Sequence, residues 1–122
     1  MKKGNMDLFI QELTKNVNLS DLELEHNLQV ITINKIKELH PNWIVFSVPN
    51  GGKRNKFEML KLKAEGLTKG VSDLIVIAEF PKIYFIEMKA SGGKVSEAQE
   101  KFSRDLARLG WNYYLIKKEK NE

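Results

Sequence analysis

Three residues with chemistry to offer interrupt runs that are otherwise apolar. Asp73 opens DLIVIAE at 73–79, and Glu87 and Lys89 fall inside KIYFIEMKA at 82–90. Both runs are apolar at nearly every position, the pattern of strands buried on both faces. Side chains alternate along a strand, so Ile83, Phe85, Glu87 and Lys89 share one face. The few residues around Phe80 and Pro81 leave room only for a hairpin. A three-residue turn at 79–81 pairs Ala78 with Lys82 and sets Asp73 directly opposite Glu87; a two-residue turn sends Asp73 to the other face. Like carboxylates held within ~5 Å repel each other unless a cation lies between them. Hard Mg²⁺ takes one or two carboxylates and keeps its other positions for water and phosphate oxygens. Lys89, on the same face, suits stabilising developing charge or positioning an attacking water. The plainer role is a buried Glu87–Lys89 pair with Asp73 as a turn residue. Two acids and a lysine on one face of adjacent strands favour a site.

Two further residues are candidates by position. At ~100° per residue, Glu25 falls on the side of its helix that carries Leu28, Thr32, Ile36 and Leu39, and Glu23 falls largely opposite. Gln99 stands three residues after Ser96, where the two form a capping box; a site role for Gln99 stands beside that capping role. Other chemistries are excluded. There are no cysteines, so disulfides, thiolate nucleophiles and thiolate zinc sites are absent. His26 and His40 share no spacing with Ser47, Ser72, Ser91 or Ser103 that suggests a triad. Gly51-Gly52-Lys53 and Gly92-Gly93-Lys94 lack the upstream glycine and following Ser or Thr of a nucleotide-binding loop, so no nucleotide cofactor is expected.

The elements that must hold these residues follow from the same string. A short helix is expected within 5–16. A second runs from Ser20, with Glu23 closing a capping box, to about Leu39, because Pro41 disfavours helical geometry at His40. WIVFSV at 43–48 reads as a strand, ended by Pro49-Asn50-Gly51-Gly52. Residues 53–65 read as a helix with Phe57, Leu60 and Ala64 on one side and Gly66 as its stop. The hairpin follows, then a helix over 96–109 stopped by Gly110, then a strand over 112–117. Strand, helix and strand in that order make a parallel right-handed crossover. Beyond the first short helix, the order α-β-α-β-β-α-β predicts an α/β fold: a mixed central β-sheet flanked by helices. Residues 1–20 form an N-terminal extension (a short helix or dimer arm), 21–118 a single domain and 119–122 a tail.

Composition sets the setting. A chain of 122 residues, 42% hydrophobic and 30% charged, supports one domain with its own core. No apolar run approaches the ~18 residues of a membrane span, and Asp7 and Gln11 break the N-terminal stretch a secretion signal requires. A cytoplasmic, intracellular protein without membrane contact is expected. The net charge of +4 is concentrated. Residues 53–69 carry Lys53, Arg54, Lys56, Lys61, Lys63 and Lys69 against Glu58 and Glu65, and the rest of the chain balances. Such a surplus is the footprint of a polyanion binder or of a solvated lysine-rich helix face.

The acids and their flanks have a family look. Asp73 in Gly70-Val71-Ser72-Asp73, followed by Glu87-Met88-Lys89, is similar to the D…E-x-K pattern of the PD-(D/E)XK nuclease superfamily. Within it the chain resembles the virus-type replication-repair nuclease (VRR-NUC) domain in stand-alone form. The resemblance is carried by Glu25-His26-Asn27-Leu28-Gln29, Val48-Pro49-Asn50-Gly51-Gly52-Lys53-Arg54, Leu62-Lys63-Ala64-Glu65-Gly66 and Ser96-Glu97-Ala98-Gln99. It spans about residues 22 to 117, in order. Ser72, where the pattern often has proline, is a mild departure at a position that binds nothing.

The resemblance implies a restriction-endonuclease-like core and Mg²⁺-dependent hydrolysis of phosphodiesters, with Mn²⁺ as a substitute. By position, Asp73, Glu87 and the Met88 carbonyl resemble the metal ligands, Lys89 the catalytic lysine, Glu25 an acid reaching the metal through water, and Gln99 a glutamine that steadies the site. Asn50, Lys53, Arg54, Lys56, Lys69 and Lys94 are the expected nucleic-acid contacts. Stand-alone relatives resemble Holliday-junction resolvases, so a homodimer acting on branched or four-way DNA is expected, and a phage source fits the compact form. Residues 1–20 or apolar positions such as Trp43 and Trp111 are candidates for its interface. Two other functions stand beside this one: a non-catalytic nucleic-acid-binding module, and a nuclease subunit that needs a replication or repair partner.

Overall fold

The computed structural model describes residues 8–16, 25–49, 55–89 and 93–117. In chain order the elements are α1 (Leu8–Asn16), α2 (Glu25–Leu39), β1 (Ile44–Ser47), α3 (Lys56–Ala64), β2 (Leu74–Ile77), β3 (Ile83–Lys89), α4 (Glu97–Arg108) and β4 (Tyr113–Lys117). Each matches an element expected from the sequence to within a few residues. The Ser20–Glu23 capping box falls outside the described residues.

The strands form one sheet in the order β1-β2-β3-β4. β1 pairs with β2, and β2 with β3, antiparallel; β3 and β4 are parallel. α4 is therefore the crossover that a parallel pair requires. Alternation splits the sheet into two unlike faces. Leu74, Val76, Tyr84, Ile86, Met88 and Ile116 point to one side, where they meet Phe9, Ile10 and Leu13 of α1 and Leu28 and Ile36 of α2. This is the main core, and Phe9, Ile10 and Leu13 of the N-terminal extension are part of it. Leu28, Thr32 and Ile36 are buried at helical spacing, the stripe expected of α2.

The opposite face carries Ile75, Phe85, Glu87, Lys89 and Tyr113, with α4 over part of it. Phe102 of α4 meets Phe85 and Tyr113 edge-on at 6.0 and 6.4 Å. Towards β1 this face is open: Ile44 is 58% exposed, Phe46 43% and Ile77 38%. The hairpin strands are thus not covered evenly on both faces. α3 buries none of its residues, and the Phe57–Leu60–Ala64 side faces outward.

The two tryptophans are packed. Trp43 stacks on His40 with ring centroids 3.7 Å apart, and Trp111 meets Phe85 edge-on at 6.4 Å. Both are partly buried in these ring contacts, and neither is among the exposed large apolar residues. Among the described residues, no helix is long and apolar enough to cross a membrane.

Candidate active site

The hairpin turn decides where the acids meet. Ala78 N–H donates to the Lys82 carbonyl at 3.1 Å, and Lys82 N–H to the Glu79 carbonyl at 2.9 Å. The turn is the three-residue form at 79–81. Leu74 pairs with Ile86 and Ile75 with Phe85, so the register continues to Asp73 opposite Glu87. Hydrogen-bonded and non-hydrogen-bonded pairs alternate along an antiparallel ladder. Counting from Ala78–Lys82, position 73–87 is a non-hydrogen-bonded pair, the kind whose Cα atoms approach to about 4.5 Å.

Asp73 does more than face Glu87. Its backbone carbonyl accepts from Val48 N–H at 2.9 Å, tying it to the segment after β1. Its Oδ2 accepts from Met88 N–H at 2.8 Å. The β2 ladder has ended at that level, and the side chain takes the place of the missing strand carbonyl. The same alternation directs the Met88 carbonyl to this side, past the ladder's end. Two carboxylates and a carbonyl form a hard-oxygen donor set that fits Mg²⁺ or Mn²⁺. Glu87 is 2% exposed. A carboxylate so buried is costly unless paired or bound to a cation, and the nearest acid across the ladder is another carboxylate.

The loop before Asp73 is held against α4. Gly70 has φ +84°, and a Cβ there would run into the Ala98 carbonyl and come within 2.7 Å of Gln99 N. Only glycine permits both the backbone conformation and the approach. Ser72 is fully buried and donates to the Leu74 carbonyl at 3.2 Å, closing the turn into β2. On the other side of the contact, Ser96 Oγ accepts from Gln99 N–H at 3.1 Å, and Ser96 N–H donates to Gln99 Oε1 at 2.8 Å. The capping box expected for Ser96 and Gln99 is present, and it sits beside the loop that delivers Asp73.

Lys89 lies on the Glu87 face, half-buried, and among the described residues it has no ion-pair partner within 4 Å. The Glu87–Lys89 pair that would make both residues structural is not formed. Tyr113 is not among the candidates drawn from the sequence. Phe85 is level with Tyr113 in the parallel register, which places Tyr113 on the acid-bearing face. Burial first, then the negative charges of Glu87 and Asp73, push its phenol well above its ordinary value. The sequence showed the crossover but not its register, which alone reveals this neighbour.

The remaining candidates divide. Glu25 begins α2, and its side chain lies outside the described residues, as do Asn50, Lys53 and Arg54. Lys56, Lys69 and Lys94 are exposed. Among the described residues, no third Asp, Glu, His or Cys joins Asp73 and Glu87 in a cluster.

A mixed four-stranded sheet between helices, with an acid, an acid and a lysine gathered at one end of its central hairpin, defines a restriction-endonuclease-like α/β fold. The VRR-NUC domain model matches residues 11–118, and the chain belongs to the VRR-NUC family, a family of nuclease domains. A solved structure described as a VRR_NUC domain protein aligns with a TM-score of 0.60 at 24% identity, covering 76% of each chain. That likeness is one of fold. No curated protein matches the chain.

Proposed function

We propose that the chain is a Mg²⁺-dependent DNA endonuclease of the PD-(D/E)XK type, selective for branched DNA such as a four-way junction and acting as a homodimer. The observation that carries this is the hairpin register, which sets Asp73 opposite Glu87 with Lys89 on the same face. Asp73, Glu87 and the Met88 carbonyl would hold the cation, with Glu25 contributing through water. When bound, it polarises the scissile phosphate and lowers the pKa of a coordinated water. Lys89 contributes a positive charge where the phosphorane-like transition state accumulates negative charge. Asp73 is kept in place by Met88 N–H, so its other oxygen is the one turned to the reaction. The Ser96–Gln99 box fixes the start of α4 against the Gly70 loop and so steadies Asp73. Exposed Lys56, Lys69 and Lys94, with Asn50, Lys53 and Arg54, supply phosphate contacts that position DNA without reading its sequence.

The dimer is supported by the uncovered apolar residues Ile44, Phe46 and Ile77 at the β1 end of the sheet. A twofold pair of sites matches the symmetry of a four-way junction. The test is a parallel digest of a synthetic four-way junction and its matched linear duplex with Mg²⁺, with EDTA, and with Glu87→Ala protein. Paired symmetric nicks in the junction alone, lost in both controls, are expected. Equal cleavage of both DNAs refutes the junction selectivity. Metal-independent binding without cleavage in Mg²⁺ or Mn²⁺ replaces the nuclease with the binding-module reading.

A further inference from the structure

Tyr113 has no part in the reading above, yet the fold delivers its hydroxyl to the acids. It is level with Phe85 on the neighbouring parallel strand, and Glu87 lies two residues further along. Two residues of strand span ~6.6 Å. A tyrosine leaning along its strand covers about that distance. Phe102 of α4 meets the Tyr113 ring edge-on at 6.4 Å and Phe85 at 6.0 Å, which limits the directions the phenol can take. The hydroxyl is buried and makes no hydrogen bond of good geometry among the described residues. A phenol is protonated at neutral pH, hence a donor. Phenylalanine would fill the same space without burying an under-satisfied hydroxyl, which costs stability. The hydroxyl therefore answers a need of the site and not of the packing.

We infer that Tyr113 is a positioning residue for Glu87: with the cation in place its hydroxyl would donate to one carboxylate oxygen and turn the other towards Asp73. The inference rests on the metal-dependent reading of Asp73 and Glu87. Partners that orient a metal-binding carboxylate change metal affinity by ~10–100-fold.

The test is calorimetric titration of Mn²⁺ into wild type, Tyr113→Phe, Glu87→Gln and the double variant, each with a melting curve in EDTA. Tyr114→Phe, on the opposite face, serves as the control. Tyr113→Phe is expected to bind Mn²⁺ at least ~10-fold more weakly, with a melting temperature in EDTA equal to or above wild type. Tyr114→Phe is expected to keep wild-type affinity. In the Glu87→Gln background, Tyr113→Phe is expected to add no further loss. Wild-type affinity in a folded Tyr113→Phe, or additive losses in the double variant, overturns the role of Tyr113 alone. Failure of wild type to bind Mn²⁺ overturns the metal reading, and the inference with it.

Discussion

Gly70 offers the sharpest test of how the fold holds its acids, because a matched control exists four residues away in the same loop region. Gly66 has φ +105° and nothing within 4 Å of the position a Cβ would take. It ends α3 with Leu67 N–H donating to the Leu62 carbonyl at 2.8 Å and Gly66 N–H to the Lys63 carbonyl at 3.1 Å. Gly70 has φ +84° but meets the Ala98 carbonyl and Gln99 N. Alanine at either position carries the left-handed penalty of about 1–2 kcal/mol. At Gly70 the added methyl must also displace backbone at the start of α4, and overpacking of that kind costs about 1–3 kcal/mol more. Gly66→Ala should therefore lose about 1 kcal/mol and Gly70→Ala about 3 kcal/mol. At roughly 4 °C per kcal/mol for a domain of this size, the melting temperatures in EDTA should fall by about 4 °C and about 12 °C. The displaced loop carries Asp73, and a misplacement near 1 Å costs on the order of 100-fold in rate. Gly66→Ala should cleave normally below its melting temperature. Equal shifts in the two variants, or full activity in Gly70→Ala, would refute the argument that the loop's contact with α4 sets the position of Asp73.

Other expectations follow from single contacts. Asp73→Asn keeps an acceptor for Met88 N–H and should melt within ~1 kcal/mol of wild type, whereas Asp73→Ala loses a charge-assisted bond worth about 1.5–3 kcal/mol; both should be inactive, and equal melting would show the bond to be unimportant. Lys56→Ala with Lys69→Ala should weaken DNA binding regardless of sequence and flatten the plot of log affinity against log salt by up to about 2, as fluorescence anisotropy would report; an unchanged slope removes these lysines from the interface. Tyr113 has a raised folded-state pKa, so its contribution is whole below the ordinary phenol value near 10 and is lost as pH rises beyond it, when the unfolded chain ionises first. Wild type in EDTA should thus lose more stability than Tyr113→Phe between pH 9 and 11, and parallel losses would contradict the burial of that hydroxyl.

The acids were legible because their placement depends on local rules. Alternation put Glu87 and Lys89 on one face, and the length of the Phe80–Pro81 turn settled Asp73 between two options. The Ser96–Gln99 box and the Gly66 stop were equally local. What stayed hidden depends on contacts between distant segments. Tyr113 needs the β3–β4 register, which no turn dictates because a helix intervenes. The close approach of Gly70 to α4 needs both chains in place. The apolar side of α3 is exposed, because periodicity shows which residues share a side without showing what that side meets. Trp43 looked like an available anchor, and its stacking on His40 follows from how the chain leaves α2 at Pro41.

The bond from Met88 N–H to Asp73 changes how relatives should be read. An aspartate here helps close the end of the sheet, so selection for folding alone would retain it, or asparagine, in a copy that had stopped cutting DNA. Glu87 is under a different pressure: it stands opposite Asp73, and like carboxylates repel unless a cation lies between them, so a copy that no longer held the cation would gain by replacing it. When activity must be judged from a related sequence, the second acid is therefore the informative letter, and the first reports mainly that the hairpin is intact.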